Sequence, residues 1–73
     1  MATDISIRLG EKIRELRKAN GWRQIDLAAH AELSKTHIHD LEVGRREIGL
    51  HALEKIANAL NLKPSELLKE IGS

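Results

Sequence analysis

Apolar residues recur along the chain at helical rather than strand spacing, with little β-branched alternation. Leu9, Ile13 and Leu16 stand at i, i+4 and i+7 and predict a first helix over about Ile5 to Ala19, which Asn20-Gly21 ends. Leu27, Ala28 and Ala31 mark the inward side of a second, starting near Gln24. A third begins after Ser34, a good N-cap, and turns Ile38 and Leu41 inward. Val43-Gly44 closes it, the glycine placed for the left-handed conformation past a helix end. Leu50, Leu53, Ile56, Ala57 and Leu60 repeat along a fourth helix. A fifth opens with Pro64 at its first position and carries Leu67, Leu68 and Ile71. No linker, low-complexity stretch or internal repeat interrupts the series, so residues 1–73 are expected to form one all-α, five-helix domain.

Only Glu32-Leu33-Ser34 separates the second helix from the third. So short a link forces a steep crossing, the geometry of a helix-turn-helix over about residues 24–43, with Leu33 placed to plug the corner. At 73 residues such a domain buries only about 60% of its unfolded surface, so a partner would help to stabilise it. Cysteine is absent, which excludes disulfides and thiolate metal sites. No apolar run approaches the roughly 20 residues of a membrane span, and MATDISIR does not read as a signal peptide. A soluble, cytoplasmic protein without a membrane partner is expected. One Trp and no Phe or Tyr argue against a stacking platform for single-stranded nucleic acid.

The net charge is only +1, but it is unevenly spread. Arg8, Lys12, Arg14, Arg17, Lys18 and Arg23 face only Glu11 and Glu15, whereas the segment after Arg46 has four acids (Glu47, Glu54, Glu66, Glu70) and three lysines. A basic end suits a polyanion, and it also suits a solvated helix face.

The densest chemistry lies in SKTHIHDLEVGRR, from Ser34 to Arg46. A metal-chelating histidine pair on one helix needs i, i+4 spacing. His37 and His39 are two apart and so point roughly 200° away from each other, and His30 and His51 lie on other helices. Ser34, His37 and Asp40 stand at i, i+3, i+6 like a hydrolytic triad, but the Ser34 oxygen is committed as an N-cap. The rim of a small bundle offers neither oxyanion hole nor pocket. Neither an enzyme, a metal, a cofactor nor a small-molecule ligand is expected. With Ile38 and Leu41 inward, Thr36 and Asp40 point most directly outward, flanked by His39 and Val43, and Lys35 stands at the free N-terminal end. Such a face is either ordinary solvated helix or one that enters a DNA major groove, which is about 12 Å wide and accepts a helix. The spacing alone leaves both open.

The stretch GEKIRELRKANGWRQIDLAAHAELSKTHIHDLEVGRREIGLHALEKIANALNLKPSELL resembles the lambda-repressor/Cro-like (Xre-type) helix-turn-helix family from about Arg8 to Leu68. The resemblance rests on Gln24 opening the second helix and Ala28 at the tight helix–helix contact. Ile38 and Leu41 inside the third helix, the LEVGRR run from Leu41 to Arg46, and IANAL in the fourth add to it. The GRREIGLHALEKIANAL portion looks like the small controller proteins of restriction–modification systems. The resemblance implies a compact five-helix DNA-binding domain and a transcription regulator of double-stranded DNA, with a recognition helix over about residues 35–43. A protein-interaction module of the antitoxin kind is the alternative use of the fold; a chain almost fully taken up by the domain leaves no evident toxin-binding extension.

With a groove as the target, donor and acceptor chemistry suggests roles. Lys35 suits guanine O6/N7, Thr36 a thymine methyl, and Asp40 cytosine N4, with His39 beside them as a base reader. His37, the Ser34 hydroxyl, Arg23, Arg45 and Arg46 are expected on phosphates. Protonation of His37 and His39 should then raise affinity below about pH 6.5. The resemblance implies that Gln24 holds a phosphate with its side chain and helix N-terminus, and that Arg17 and Glu42 pair behind the third helix. Trp22 is expected to cover the corner of the first two helices rather than to wedge into DNA. Two departures from the family stand out. Glu32 occupies a position usually held by glycine, and Arg23 one usually held by a Ser or Thr N-cap. Ile48, Leu62, Leu68 and Ile71 are candidate apolar surface for a homodimer reading a palindromic operator, Leu68 being as well suited to core filling.

Overall fold

The computed structural model describes residues 2–69 and 71; Glu70, counted above among the C-terminal acids, lies outside them. The described residues contain five helices and no strand: α1 (Asp4–Ala19), α2 (Gln24–Ala31), α3 (Lys35–Glu42), α4 (Leu50–Ala59) and α5 (Pro64–Lys69).

Local chemistry sets the boundaries. Thr3 Oγ1 accepts from the Ser6 N–H at 3.3 Å, which starts α1 at Asp4. Ser34 Oγ accepts from the His37 N–H at 3.0 Å and starts α3 at Lys35. Arg23 has no acceptor to offer α2; instead Asp26 Oδ2 reaches back and accepts the Arg23 backbone N–H at 2.8 Å. The Asp26 carboxyl is held below its ordinary range, chiefly by the Arg23 side chain. At the other end of α2, Glu32 adopts φ 56°, ψ 42°, the left-handed conformation. For a residue with a Cβ that costs about 1–2 kcal/mol. α3 ends at Glu42, with Val43 as its C-cap rather than its last residue.

Ile13, Leu27, Ile38, Leu41, Ile56 and Leu67 are fully buried, drawing on all five helices. Each contributes about 1.5–3 kcal/mol relative to exposure. Leu33 and Trp22 pack against this core, and the Trp22 indole also stacks on His30 with ring centroids 4.4 Å apart. Two members of the apolar repeats lie outside the core, which for Leu68 decides against core filling. Leu50 stands 83% exposed at the first position of α4, and Leu68 is 40% exposed because its neighbour Leu67 takes the inward direction of α5.

α1 packs on α3, and α2 packs on both α3 and α4. The α1–α3 contact is backbone-close: a Cβ on Gly10 would lie 2.0 Å from the Leu41 carbonyl oxygen. The start of α1 also grips the α3–α4 connection. The Ala2 N–H donates to the Gly44 carbonyl at 3.4 Å, and Gly44, at φ 75°, lies against Ile7. Glu47 accepts from both the backbone N–H and the hydroxyl of Thr3, the former contact holding its carboxyl below the usual range. Buried Ser6 accepts from the Ile48 N–H at 3.2 Å. The segment carrying Arg45 and Arg46 is thereby fastened at both ends.

Candidate nucleic-acid interface

Fixing α3 at its cap, against Gly10 and along its buried Ile38–Leu41 side leaves the rest of the helix turned outward. Lys35, Thr36 and His39 are exposed and Asp40 is half-buried. With Gln24 from α2 and Arg45 from the following loop they line one open concavity of about 470 Å³. Residues from three consecutive segments therefore converge on a single surface. Arg23, Ser34, His37 and Arg46 do not line it.

Behind this surface lies a buried ion pair. Arg17 Nε and Nη2 donate to Glu42 Oε2 and Oε1 at 2.8 and 3.1 Å, and Arg17 Nη1 donates to the Trp22 carbonyl at 2.7 Å. The two side chains are 9% and 1% exposed. No buried side-chain polar atom among the described residues lacks a partner, so the charges are compensated where water cannot reach them.

Three of the residues expected on phosphates have other partners or surroundings within the protein. Gln24 Nε2 lies 3.1 Å from Glu42 Oε1, to which it donates, and 3.3 Å from His39 Nδ1. A phosphate must compete with these two partners for the Gln24 side chain, while the backbone N–H at the start of α2 stays available to it. Arg23 is tied to Asp26 at 3.2 and 3.4 Å, so a phosphate must compete with a carboxylate for it. His37 sits in a different environment from His39, half-buried, with Arg46 and Lys55 nearby. Burial first, then Arg46, pushes its pKa below the ordinary 6.5. In the free protein His37 therefore takes up its proton at lower pH than an ordinary histidine.

The residue that reading by pattern missed is Gly10. A glycine inside the amphipathic α1, between Leu9 and Ile13, was the available signal, since such a residue usually has a packing reason. The Thr3–Glu47 and Ser6–Ile48 contacts had no comparable signature, because their partners are more than 40 residues apart.

The pattern of the helix-turn-helix family matches residues 13–67, which includes α2, the turn, α3 and α4. The chain belongs to the helix-turn-helix family. It is 39% identical over 69 residues to the control protein C.MunI of a Mycoplasma species, covering 93% of each chain. To the control protein C.BamHI of Bacillus amyloliquefaciens it is 36% identical over 69 residues, covering 93% of this chain and 85% of that one. Its fold resembles the crystal structure of the restriction-modification controller protein C.AhdI from Aeromonas hydrophila. The TM-score is 0.81 at 35% identity, over 85% of this chain and 94% of that chain. As a helix-turn-helix protein of Xre/Cro type it is a DNA-binding transcription regulator and not an enzyme.

Proposed function

We propose that the protein binds a palindromic double-stranded operator as a homodimer, with α3 in the major groove, and that it serves as a controller of a restriction–modification locus in the cytoplasm. The convergence of Lys35, Thr36, His39 and Asp40 with Gln24 and Arg45 on one concavity carries this reading. Lys35 donates to guanine O6/N7, Thr36 offers a hydroxyl and a methyl, and Asp40 accepts from cytosine N4. Arg45 and Arg46, on a loop held at both ends, clamp the flanking phosphates; the Ser34 hydroxyl, the His37 N–H and Arg23 assist. The similarity to C.MunI, C.BamHI and C.AhdI supports the controller role.

A homodimer through the C-terminal half would set two copies of α3 about 34 Å apart, one helical turn of DNA. Ile48, Leu62 and Ile71 are half-buried against this chain's own core, so each brings only part of its surface to a partner. Exposed Leu50 and Leu68 extend the apolar area in the same half.

Selection from random duplexes tests the whole reading, since a single palindromic consensus is expected. On that operator Lys35→Ala should cost about 1–3 kcal/mol while barely changing nonspecific binding. Arg45→Ala should weaken both and lower the salt slope by about 0.9. Sedimentation of the parent and of Leu50→Asp, a change at an exposed position, checks the dimer. A parent that stays monomeric at micromolar concentration and protects one half-site would refute it, and failure to select any duplex would return the protein to the class of protein-binding modules.

A further inference from the structure

Hydrogen-bond polarity runs in one direction from the buried core to the DNA-facing surface. Arg17 is a donor only, and it spends Nε and Nη2 on the two Glu42 oxygens. Glu42, so paired, is an acceptor only. The Gln24 group 3.1 Å from Glu42 Oε1 must therefore be the amide NH2, because a carbonyl oxygen there would set two acceptors against each other. The same nitrogen carries one further hydrogen, and His39 Nδ1 lies 3.3 Å from it. Nδ1 must then be the bare, accepting nitrogen of the ring. In a neutral imidazole the proton sits on Nε2, on the far side of the ring from Gln24. Nε2 has no partner among the described residues, and His39 is exposed at the concavity.

We propose that Gln24 is a positioning residue that locks His39 in its Nε2–H tautomer, so that α3 presents an N–H donor to a purine N7 at this point of the groove. The proposal rests on the reading of α3 as the helix that enters the major groove. It divides the surface chemically: Asp40 can only accept, and His39, one residue before it, can only donate. A rotating or tautomerising histidine would accept or donate with little preference. One held by Gln24 distinguishes a base edge that offers a lone pair from one that offers an N–H. It also gives the Gln24 side chain a role other than the expected phosphate contact.

Two measurements test this on the whole protein. Nitrogen-15 NMR of the histidine rings at neutral pH, with and without DNA, should find His39 Nδ1 unprotonated and Nε2 protonated. In Gln24→Met, which keeps the side-chain length without a donor, that preference should relax to a mixture of tautomers. On the selected operator, each purine is replaced in turn by its 7-deaza analogue, which lacks only the N7 acceptor. One position should lose about three- to tenfold in affinity with the parent, the yield of one neutral hydrogen bond. That loss should vanish with His39→Ala and shrink with Gln24→Met, whatever those changes do to overall affinity. A proton found on Nδ1 overturns the proposal. So does the absence of any purine whose N7 effect depends on His39, which would place the donor on a phosphate. A parent that selects no duplex fails the broader reading at the first step, before any variant is made, and is distinguishable from both.

Discussion

Gly10→Ala adds one carbon to the middle of α1, where intrinsic preference favours alanine by about 1 kcal/mol. The structure says that the sign reverses. The new Cβ would meet the Leu41 carbonyl oxygen at 2.0 Å, the Leu41 carbonyl carbon at 3.0 Å and Glu42 Cα at 3.3 Å. All three are backbone atoms of α3, so no rotamer change relieves the overlap. α1 and α3 must part by more than an ångström to restore ordinary contact. Interiors are too densely packed to absorb this without opening gaps around Ile13, Ile38 and Leu41. Overpacking of this kind costs about 1–3 kcal/mol, and the upper end applies where backbone must move. Set against the helix preference, a net loss of about 1–2 kcal/mol remains, a fall in Tm of roughly 5–15 °C for a domain of this size. Urea and thermal unfolding followed by circular dichroism measure it. The same displacement strains the Arg17–Glu42 pair, so operator affinity should fall as well. A variant with the parental Tm or a higher one would mean that the two helices are not in backbone contact.

Glu32→Gly should act in the opposite sense: relief of about 1–2 kcal/mol of left-handed strain exceeds the 0.5–1 kcal/mol that glycine costs in chain entropy, so Tm should rise by a few degrees. No rise would show that the turn holds Glu32 without strain. Glu42→Ala leaves Arg17 charged and buried without its partner and should cost about 3–5 kcal/mol, whereas the double change Arg17→Met/Glu42→Met should recover much of that. A double variant as unstable as the single one would mean that the pair supplies more than mutual neutralisation. For His37 the folded pKa lies below the ordinary 6.5, from burial first and Arg46 second. The folded state thus binds fewer protons than the unfolded one: the stability is full above pH 6.5 and is lost as pH falls through the folded pKa. His37→Gln should flatten that acid limb in urea titrations taken between neutral and mildly acidic pH, and an unchanged limb would show that His37 is not its source.

The helices could be read from spacing because each buries one stripe, and the caps because Ser34 and Gly44 satisfy backbone demands that are local. Leu50 and Leu68 show where this fails. Spacing puts a residue on a side of a helix but not under a neighbouring element: at the first position of α4 nothing covers Leu50, and of the adjacent Leu67 and Leu68 only one can face inward. The outward set of α3 was legible in part once Ile38 and Leu41 were placed, because a helix buried on one side has a determined opposite side: Thr36, His39 and Val43 are exposed, but Asp40, expected to point most directly outward, is half-buried. The Arg17–Glu42 pair came from family resemblance, since 25 residues separate its members. What Gln24 does with its hydrogens was illegible, because it depends on α2 and α3 crossing close enough for one amide to reach Glu42 and His39 together.

That crossing bears on any attempt to retarget the protein. Grafting a new recognition sequence onto a helix-turn-helix scaffold assumes that outward positions can be exchanged without regard to what lies beneath. Lys35 and Thr36 meet that condition, as exposed side chains with no hydrogen-bonded partner in the scaffold among the described residues. Position 39 does not. A residue introduced there inherits an amide hydrogen aimed at it from Gln24, and behind that amide a buried carboxylate that fixes which way the amide faces. Side chains with an acceptor at the right reach will be accommodated, and those without one will leave Gln24 short of a partner. Libraries that vary positions 24 and 39 together should therefore yield more functional specificities than libraries of equal size that vary position 39 alone.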